Sequence, residues 1–351
     1  MDHFPQLVSE GYEGLHFFAD KKSGLRALVG IHSTQLGPAL GGTRALSTYA
    51  SEEAAVADVL RLAKGMTYKA ALAGLPLGGG KAVLMLPSGS FDRARLFEAF
   101  GAAVESLGGR YVTCEDSGTT PADMEHVRRR TSHAVGLSAT SGDPSPVTAF
   151  GVVRGMEAVA KHVFGKSDLA GKKVLLLGAG RVGFHLAKEL HQRGARLFVA
   201  DINSQNMQRV VEETGATALS DEELFSIEAD FFTPCALGGA LNDQTVPRLR
   251  VKAVAGAANN QLAEPRHGQL LAARGIVYAP DYAINAGGLI NVAQELAGYD
   301  RKKALERAGR IFDTIDTLLS RAQAQGARPE EVADQVVEER LTSSPKGRGV
   351  G

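Results

Sequence analysis

An apolar run, Val174 to Leu177, passes directly into Gly178-Ala179-Gly180-Arg181-Val182-Gly183, and the last glycine opens a helical pattern from Phe184 to Gln192. A strand with no polar position is buried on both faces, which a parallel sheet covered by helices provides. The following strand, Arg196 to Ala200, ends on Asp201, 18 positions after Gly183. This spacing restricts the segment to a doubly wound α/β domain of the Rossmann type. Gly178 permits the tight turn, Gly180 lets a pyrophosphate reach the helix N-terminus, and Gly183 permits close helix packing. Asp201 can accept hydrogen bonds from ribose hydroxyls, and its charge would repel a 2′-phosphate, so NAD is expected rather than NADP. A structural glycine turn without a ligand is the competing reading.

A second feature lies upstream. Lys69 and Lys81 bracket Ala70-Ala71-Leu72-Ala73-Gly74-Leu75-Pro76-Leu77-Gly78-Gly79-Gly80, which holds no other charge. An ammonium among apolar neighbours and beside a second cation has a lowered pKa, so one lysine is expected to move a proton while the other holds an anion. The triple glycine is expected to let backbone approach a ligand. The competing reading is two lysines snorkelling out of a buried strand pair.

At 351 residues the chain has length for two domains. Lys plus Arg and Asp plus Glu number 39 each, so no charge excess points to nucleic acid or an anionic membrane surface. Cys114 and Cys235 form no CxxC, which argues against a disulfide framework or a zinc site, and no metal is expected. No signal peptide pattern and no long apolar span occur, so a cytoplasmic protein with no membrane partner is expected.

Along the chain, Leu25 to His32 reads as a strand leading into a glycine-rich loop, Gly37 to Arg44, near a ligand. Ser51 caps a helix expected to end near Lys64 and to deliver Met66-Thr67-Tyr68-Lys69. Lys81 opens a short strand, Phe91 to Leu107 is amphipathic, and Tyr111 to Thr113 is a strand ending on Cys114-Glu115-Asp116. The small, proline-rich stretch from Ser138 to Pro146 marks a domain boundary near residue 142. Small-residue loops follow later strands at Cys235-Ala236 and at Asn259-Asn260, and suit the floor under a nicotinamide ring. A single helix is expected from Lys302 to Gln325, a last helix from Pro329 to Leu341, and a disordered tail over 342–351.

In this order the motifs Gly-Pro-Ala-Leu-Gly-Gly-Thr-Arg (37–44), Gly-Met-Thr-Tyr-Lys (65–69), Gly-Gly-Gly-Lys (78–81), Glu-Asp-Ser-Gly-Thr-Thr (115–120), Cys-Ala-Leu-Gly-Gly (235–239), Asn-Asn-Gln-Leu (259–262) and Asn-Ala-Gly-Gly (285–288) resemble the glutamate/leucine/phenylalanine/valine dehydrogenases. The resemblance runs from about Leu15 to Leu341 and is nearest to the leucine and valine branch. It implies an N-terminal α/β substrate-binding and oligomerisation domain over 1–141, an NAD-binding domain over 142–325, helices near 326–341 packing back on the first, a cleft between the domains, and a homo-oligomer. It also implies NAD-linked, reversible oxidative deamination of an L-amino acid to its 2-oxo acid and ammonia. Lys69 then holds the substrate carboxylate with backbone at Gly41 and Gly42, Lys81 and Asp116 are catalytic, and Asn260 stands near substrate and nicotinamide. The residue chemistry agrees, because a lysine can take the proton of the water that attacks an iminium, and an aspartate can exchange protons with the amino group.

Glutamate-using members carry a lysine where this chain has Leu40 and a hydroxyl where it has Val292. A glutamate carboxylate buried against these apolar side chains would cost on the order of several kcal/mol, so an apolar amino acid is expected. Leu40, Met66, Cys114, Leu289 and Val292 are the pocket candidates, with ordinary core packing as their competing reading. Leucine, valine and isoleucine are favoured, with phenylalanine or tryptophan as the alternative. An NAD-binding regulatory protein without turnover and a hydroxy-acid dehydrogenase are the readings from other classes. Intact Lys69, Lys81 and Asp116 argue against the former, and the latter would need a His or Arg catalytic set.

Overall fold

Two sheets organise the chain, five-stranded and six-stranded, in a computed structural model that describes residues 3–137, 139–236 and 238–343. The first unit begins with α1 (Phe4–Ser9), β1 (Gly14–Asp20), β2 (Leu25–Ser33), β3 (Ala39–Leu46) and α2 (Glu52–Leu72). It continues through β4 (Gly78–Met85), α3 (Arg93–Glu105), β5 (Tyr111–Glu115) and α4 (Pro121–Arg128). The strand order is β1-β2-β4-β3-β5. β2 runs antiparallel to β1 and β4, whereas β3 runs parallel to both β4 and β5. One core gathers Val29, Ile31, Phe97, Phe100 and Met124, and another sets Leu28 and Val83 against Val56, Val59 and Leu60 of α2.

Three expectations are corrected in this unit. The stretch 37–44 is not a loop, because Ala39 onward forms β3, buried through Thr43. Gly78, Gly79 and Gly80 likewise belong to β4, with Lys81 in the strand's interior. The helix capped by Ser51, whose Oγ accepts from Ala54 N at 3.2 Å, does not stop near Lys64. It continues to Leu72, so Met66 and Lys69 lie within it. Gly65 is exposed with open space around it, and a glycine there costs only about 1 kcal/mol of helix propensity.

The second unit opens with α5 (Ser145–Phe164), β6 (Lys173–Leu177), α6 (Arg181–Gln192), β7 (Arg196–Ala200), α7 (Ser204–Thr214) and β8 (Thr217–Ala218). Next come α8 (Asp221–Ser226), β9 (Phe231–Pro234), β10 (Ala253–Val254), α9 (Arg266–Ala273), β11 (Val277–Tyr278), α10 (Asp281–Ile284) and α11 (Gly287–Ala293). The chain finishes with α12 (Arg301–Gly309), α13 (Ile311–Gln325) and α14 (Pro329–Ser343). The order β11-β10-β9-β6-β7-β8 is parallel throughout, and it reverses direction between β6 and β9, where such sheets bind nucleotides.

The single helix expected over 302–325 is two, α12 ending at Gly309 and α13 beginning at Ile311, with a turn at Arg310 between them. The helical backbone runs through Thr342 and Ser343, which the sequence assigned to a disordered tail; the rest of that tail, 344–351, lies outside the described residues. By contacts the first unit takes the chain through Gly142, then Val292–Asp300, then from Val337 onward. The second takes Asp143–Asn291 and Arg301–Val336. The segment Val292–Asp300 therefore departs from the boundaries expected from the sequence, and of the last helices only the part from Val337 onward groups with the first unit. No helix among the described residues is long and apolar enough to cross a membrane.

Candidate active site

In the first unit the glycines of β3 and β4 serve close packing. A Cβ at Gly79 would stand 2.5 Å from Thr67 Cα and nearer still to the Thr67 amide, and one at Gly80 would meet the Tyr111 ring at 2.8 Å. A Cβ at Gly41 would overlap the Gly80 carbonyl. The expected reason for the triple glycine, approach of a ligand, is thus replaced by approach of α2 and Tyr111 to β4. Thr67 is fixed further by His32, whose Nδ1 lies 2.9 Å from Thr67 Oγ1. Burial, and then Lys64, push the His32 imidazole down to about 4, so the pair stays neutral in ordinary buffers. Met66 and Lys69, three apart on α2, share a face of that helix and are half-buried.

Gly42 is different, because its missing side chain leaves room for chemistry. A Cβ there would lie 2.7 Å from Asp116 Cβ and 3.3 Å from Lys81 Nζ. Lys81 is 5% exposed, and its ammonium forms an ion pair with Asp116 Oδ2. The lysine read from sequence as surrounded by apolar groups therefore has a carboxylate against it. Asp116 follows β5 in a tight turn. Ser117 N donates to its Oδ1 at 2.7 Å, and its own amide donates to Thr119 Oγ1 at 2.9 Å. Burial raises the Asp116 carboxyl, but Lys81, Ser117 and Arg44 outweigh it and hold the group at about 2. Asp116 is thus an anion throughout the neutral range.

Sequence reasoning did not assign a role to Arg44, Asp58, Tyr49 or Tyr111. Arg44 Nη1 donates to Asp58 Oδ2 at 2.8 Å, and its Nε lies 4.0 Å from Asp116 Oδ2. Tyr111, fully buried, donates its hydroxyl to the Gly41 carbonyl at 2.7 Å. Arg44 stands in the quoted 37–44 motif, and its charge in a glycine-rich apolar stretch was the available signal. The pocket candidates divide. Leu40 is fully buried between Gly79 and Val112 in the sheet register, and Leu289 of the second unit is buried too, whereas Met66, Cys114 and Val292 keep part of their surface. Burial pushes the Cys114 thiol up to about 12, with Lys81 opposing and Asp116 adding, so it is no nucleophile near neutrality.

In the second unit the loop after β6 has the geometry that a dinucleotide needs. Gly178 has φ +102°, and a Cβ on it would lie 2.6 Å from Ala236 N, so the loops after β6 and β9 touch at the point where strand order reverses. Gly183 packs under the Gly178 carbonyl, with Cys235 Cβ 3.6 Å from where its own Cβ would be. Gly180 caps α6 without any side-chain hydrogen bond, and a Cβ on it would meet nothing within 4 Å. Open space at an uncapped twelve-residue helix N-terminus fits a pyrophosphate. Ala179 N donates to Asp201 Oδ2 at 2.5 Å and Asn203 N to Oδ1 at 2.7 Å, which aims the carboxylate while leaving lone pairs for a ribose. Arg181 and Val182 form the first turn of α6.

Asn260 is the non-glycine with positive φ among the described residues, at +51°, and it is exposed. Such a backbone is strained for most side chains but open to Asn. Its carbonyl accepts from Gly239 N at 2.7 Å, while Gln261 Nε2 and Asn285 Nδ2 brace the adjoining carbonyls of Gly256, Ala257 and Ala258. Lys81, Asp116 and Gly42 are thus gathered on one sheet, and Gly178 to Gly183, Asp201, Cys235 and Ala236 on the other.

Residues 15–133 match the family model described as Glu/Leu/Phe/Val dehydrogenase, dimerisation domain, and residues 198–305 match Glutamate/Leucine/Phenylalanine/Valine dehydrogenase. Residues 158–230 also match Shikimate / quinate 5-dehydrogenase, over the segment that holds β6, α6 and β7. The chain is 50% identical over 351 residues to leucine dehydrogenase of Bacillus cereus, spanning 99% of this chain and 96% of that protein. It is 45% identical over 343 residues to phenylalanine dehydrogenase of Bacillus thermotolerans, spanning 95% and 90%. The crystal structure of L-tryptophan dehydrogenase from Nostoc punctiforme superposes with a TM-score of 0.87 at 41% identity, covering 97% of this chain and 99% of that one.

Proposed function

Because the chain belongs to the Glu/Leu/Phe/Val dehydrogenase family, in its leucine branch, and is a nicotinamide-dependent amino-acid dehydrogenase, we propose that it deaminates an apolar L-amino acid with NAD. Leucine, valine and isoleucine are the favoured substrates, and the products are the 2-oxo acid and ammonia. The observation that carries the reading is the part-buried Lys81–Asp116 pair beside Gly42, a cation and a base in one place with no side chain between them and the adjoining strand.

The bound nicotinamide supplies the acceptor for the hydride that leaves the substrate α-carbon. The chain's own groups then handle protons and charge. Lys69 holds the substrate carboxylate, helped by backbone at Gly41 and Gly42. Asp116, ionised at neutral pH, takes a proton from the substrate ammonium and later returns it to the departing ammonia. Lys81 must first release its ammonium proton to solvent; as the free amine it accepts the proton of the water that attacks the iminium, and the ammonium so formed stabilises the oxygen anion that develops. The Asn260 loop, braced by Gln261 and Asn285, supports the nicotinamide side.

Leu40 and Val292 offer no charge to a side-chain carboxylate, which supports an apolar substrate. Steady-state assays with NAD and leucine, valine, isoleucine, phenylalanine, tryptophan and glutamate test this. A branched-chain substrate is expected to lead in kcat/KM, with glutamate lower by about a hundredfold or more. Glutamate as best substrate would overturn the pocket argument. An aromatic optimum would establish the second reading, which the similarity to the phenylalanine and tryptophan enzymes favours.

Asp201 supports NAD over NADP. Asp201→Ala is expected to raise the NAD dissociation constant about tenfold, by removing a charged acceptor worth on the order of 1.5 kcal/mol, and to narrow the preference over NADP. Fluorescence titration with both dinucleotides checks it, and an unchanged NAD affinity would remove Asp201 from the site. The match of the first unit to a dimerisation domain supports a homo-oligomer, which sedimentation equilibrium would test.

A further inference from the structure

Asp116 has two cations beside it, and the reaction as proposed above occupies only one. Lys81 pairs with Asp116 Oδ2 from β4. From β3, Arg44 directs its Nε toward the same oxygen at 4.0 Å, and that Nε is a buried donor with no hydrogen-bond partner among the described residues. A buried N–H left unpaired costs about 1–3 kcal/mol, so a native site that keeps one has a use for it. The guanidinium cannot swing away, since Nη1 is held by Asp58 Oδ2 at 2.8 Å. Asp58 is itself held by Tyr49 OH at 2.7 Å and by Arg61 Nη2 at 2.7 Å. A rigid anchor therefore presents an unused donor to the carboxylate that exchanges protons with substrate.

We propose that Arg44 is a positioning residue for the reaction: locked by Asp58, it holds Asp116 in place and becomes its hydrogen-bonded cation when Lys81 turns to the substrate. The proposal rests on the assignment of Lys81 and Asp116 given above. While Lys81 faces Asp116, the second cation is redundant. Whenever Lys81 is turned to the substrate while Asp116 is an anion, before it takes the ammonium proton or after it has returned it, the half-buried carboxylate would have lost its principal cation, and a movement of about 1 Å in its side chain brings Oδ2 into hydrogen-bond range of Arg44 Nε.

Among the described residues, the charged and titratable groups facing Asp116 are few. They are Lys81 on β4, Arg44 on β3 with Asp58, Tyr49 and Arg61 behind it, and Tyr111, Cys114 and Glu115 on β5. Burial pushes the Tyr111 hydroxyl and the Cys114 thiol upward, so both are neutral in the working range. Removing the positive charge of Arg44 makes protonation of Asp116 easier, so the loss of activity on acidification begins at higher pH.

The test is the pH dependence of kcat for oxidative deamination, on full-length enzyme saturated with NAD and the best amino acid of the panel. Arg44→Met is expected to move the acid limb up by about one pH unit, the order for one charge near 4 Å in a partly solvated site. Arg44→Lys, which keeps the charge, is expected to keep the limb within a few tenths of a unit of wild type. A merely structural role would lower the plateau and leave the limb where it is. An unmoved limb in Arg44→Met overturns the proposal, as does an equal shift in Arg44→Lys. Should Arg44→Met fail to fold, Arg44→Gln and Arg44→Lys carry the same comparison. Lys81→Ala and Asp116→Asn, measured in parallel, report on the underlying assignment. If either keeps near-normal turnover that assignment fails, whereas two inactive variants with an unmoved Arg44→Met limb sink only the role of Arg44.

Discussion

Lys81→Ala is expected to lower kcat by about a thousandfold while NAD affinity stays within a factor of two, because Lys81 belongs to the first unit and the glycine loop to the second. The substitution deletes both tasks of the side chain, acceptance of a proton from water and stabilisation of the oxygen anion. It also strips Asp116 of its principal cation, and the carboxyl, held at about 2 by Lys81, Ser117 and Arg44 against burial, rises accordingly. Both effects act on the chemical step, so the loss belongs in kcat and in kcat/KM together, with little change in KM. Stopped-flow measurement of hydride transfer, with NAD titration of the same preparation, separates this from misfolding. A variant within tenfold of wild type in kcat would remove Lys81 from the mechanism.

A single methyl group at Gly79 is expected to damage the protein from the inside. The added Cβ would stand 2.5 Å from Thr67 Cα and closer to the Thr67 amide, a separation that folded backbone does not accommodate. Either β4 shifts, dislodging Lys81 from Asp116, or α2 moves outward with Met66 and Lys69. Overpacking of this kind costs about 1–3 kcal/mol and more where backbone must yield. Gly79→Ala should therefore lower the urea midpoint of unfolding and cut kcat/KM for the amino acid at least tenfold, since one or other of the two lysines is displaced. Gly65→Ala, in α2 and facing open space, is the control and should stabilise by a few tenths to about 1 kcal/mol. A Gly79→Ala enzyme of normal stability would show that the helix and strand are not in the contact described.

The proposed dinucleotide half of the site was legible as a motif because its signal is local. Strand, glycine spacing, helix and acid all fall between Val174 and Asp201, and each residue acts through backbone geometry that its own neighbours dictate. The other half was legible in its parts but not in its arrangement. Gly41, Gly42 and Gly78 to Gly80 read as loops, since glycine runs usually are, yet here they are strand positions where two backbones come together. That contact joins residues 12 or more positions apart and leaves no mark in the spacing. The same applies to Arg44: its partners Asp58 and Asp116 come from α2 and from the turn after β5, and only the fold brings them to it. Met66 and Lys69 were identified by the 65–69 motif but placed after a helix that contains them, because Gly65 resembles an end signal and lacks the left-handed backbone that a terminal glycine takes.

Near the C-terminus of α2, the Ala71 carbonyl accepts a hydrogen bond from Arg340 Nη1 of α14. The contact adds a cation to the last turn of the helix that bears Lys69, at the pole where partial negative charge gathers. In order of synthesis this partner emerges 269 positions after the carbonyl that it serves. The helix that bears Lys69, whose Ala71 carbonyl also accepts from Gly74 N at 3.0 Å, is therefore made long before this cation reaches it, so a nascent chain, or one clipped before Arg340, carries every residue of the proposed chemistry without that bond to the helix end.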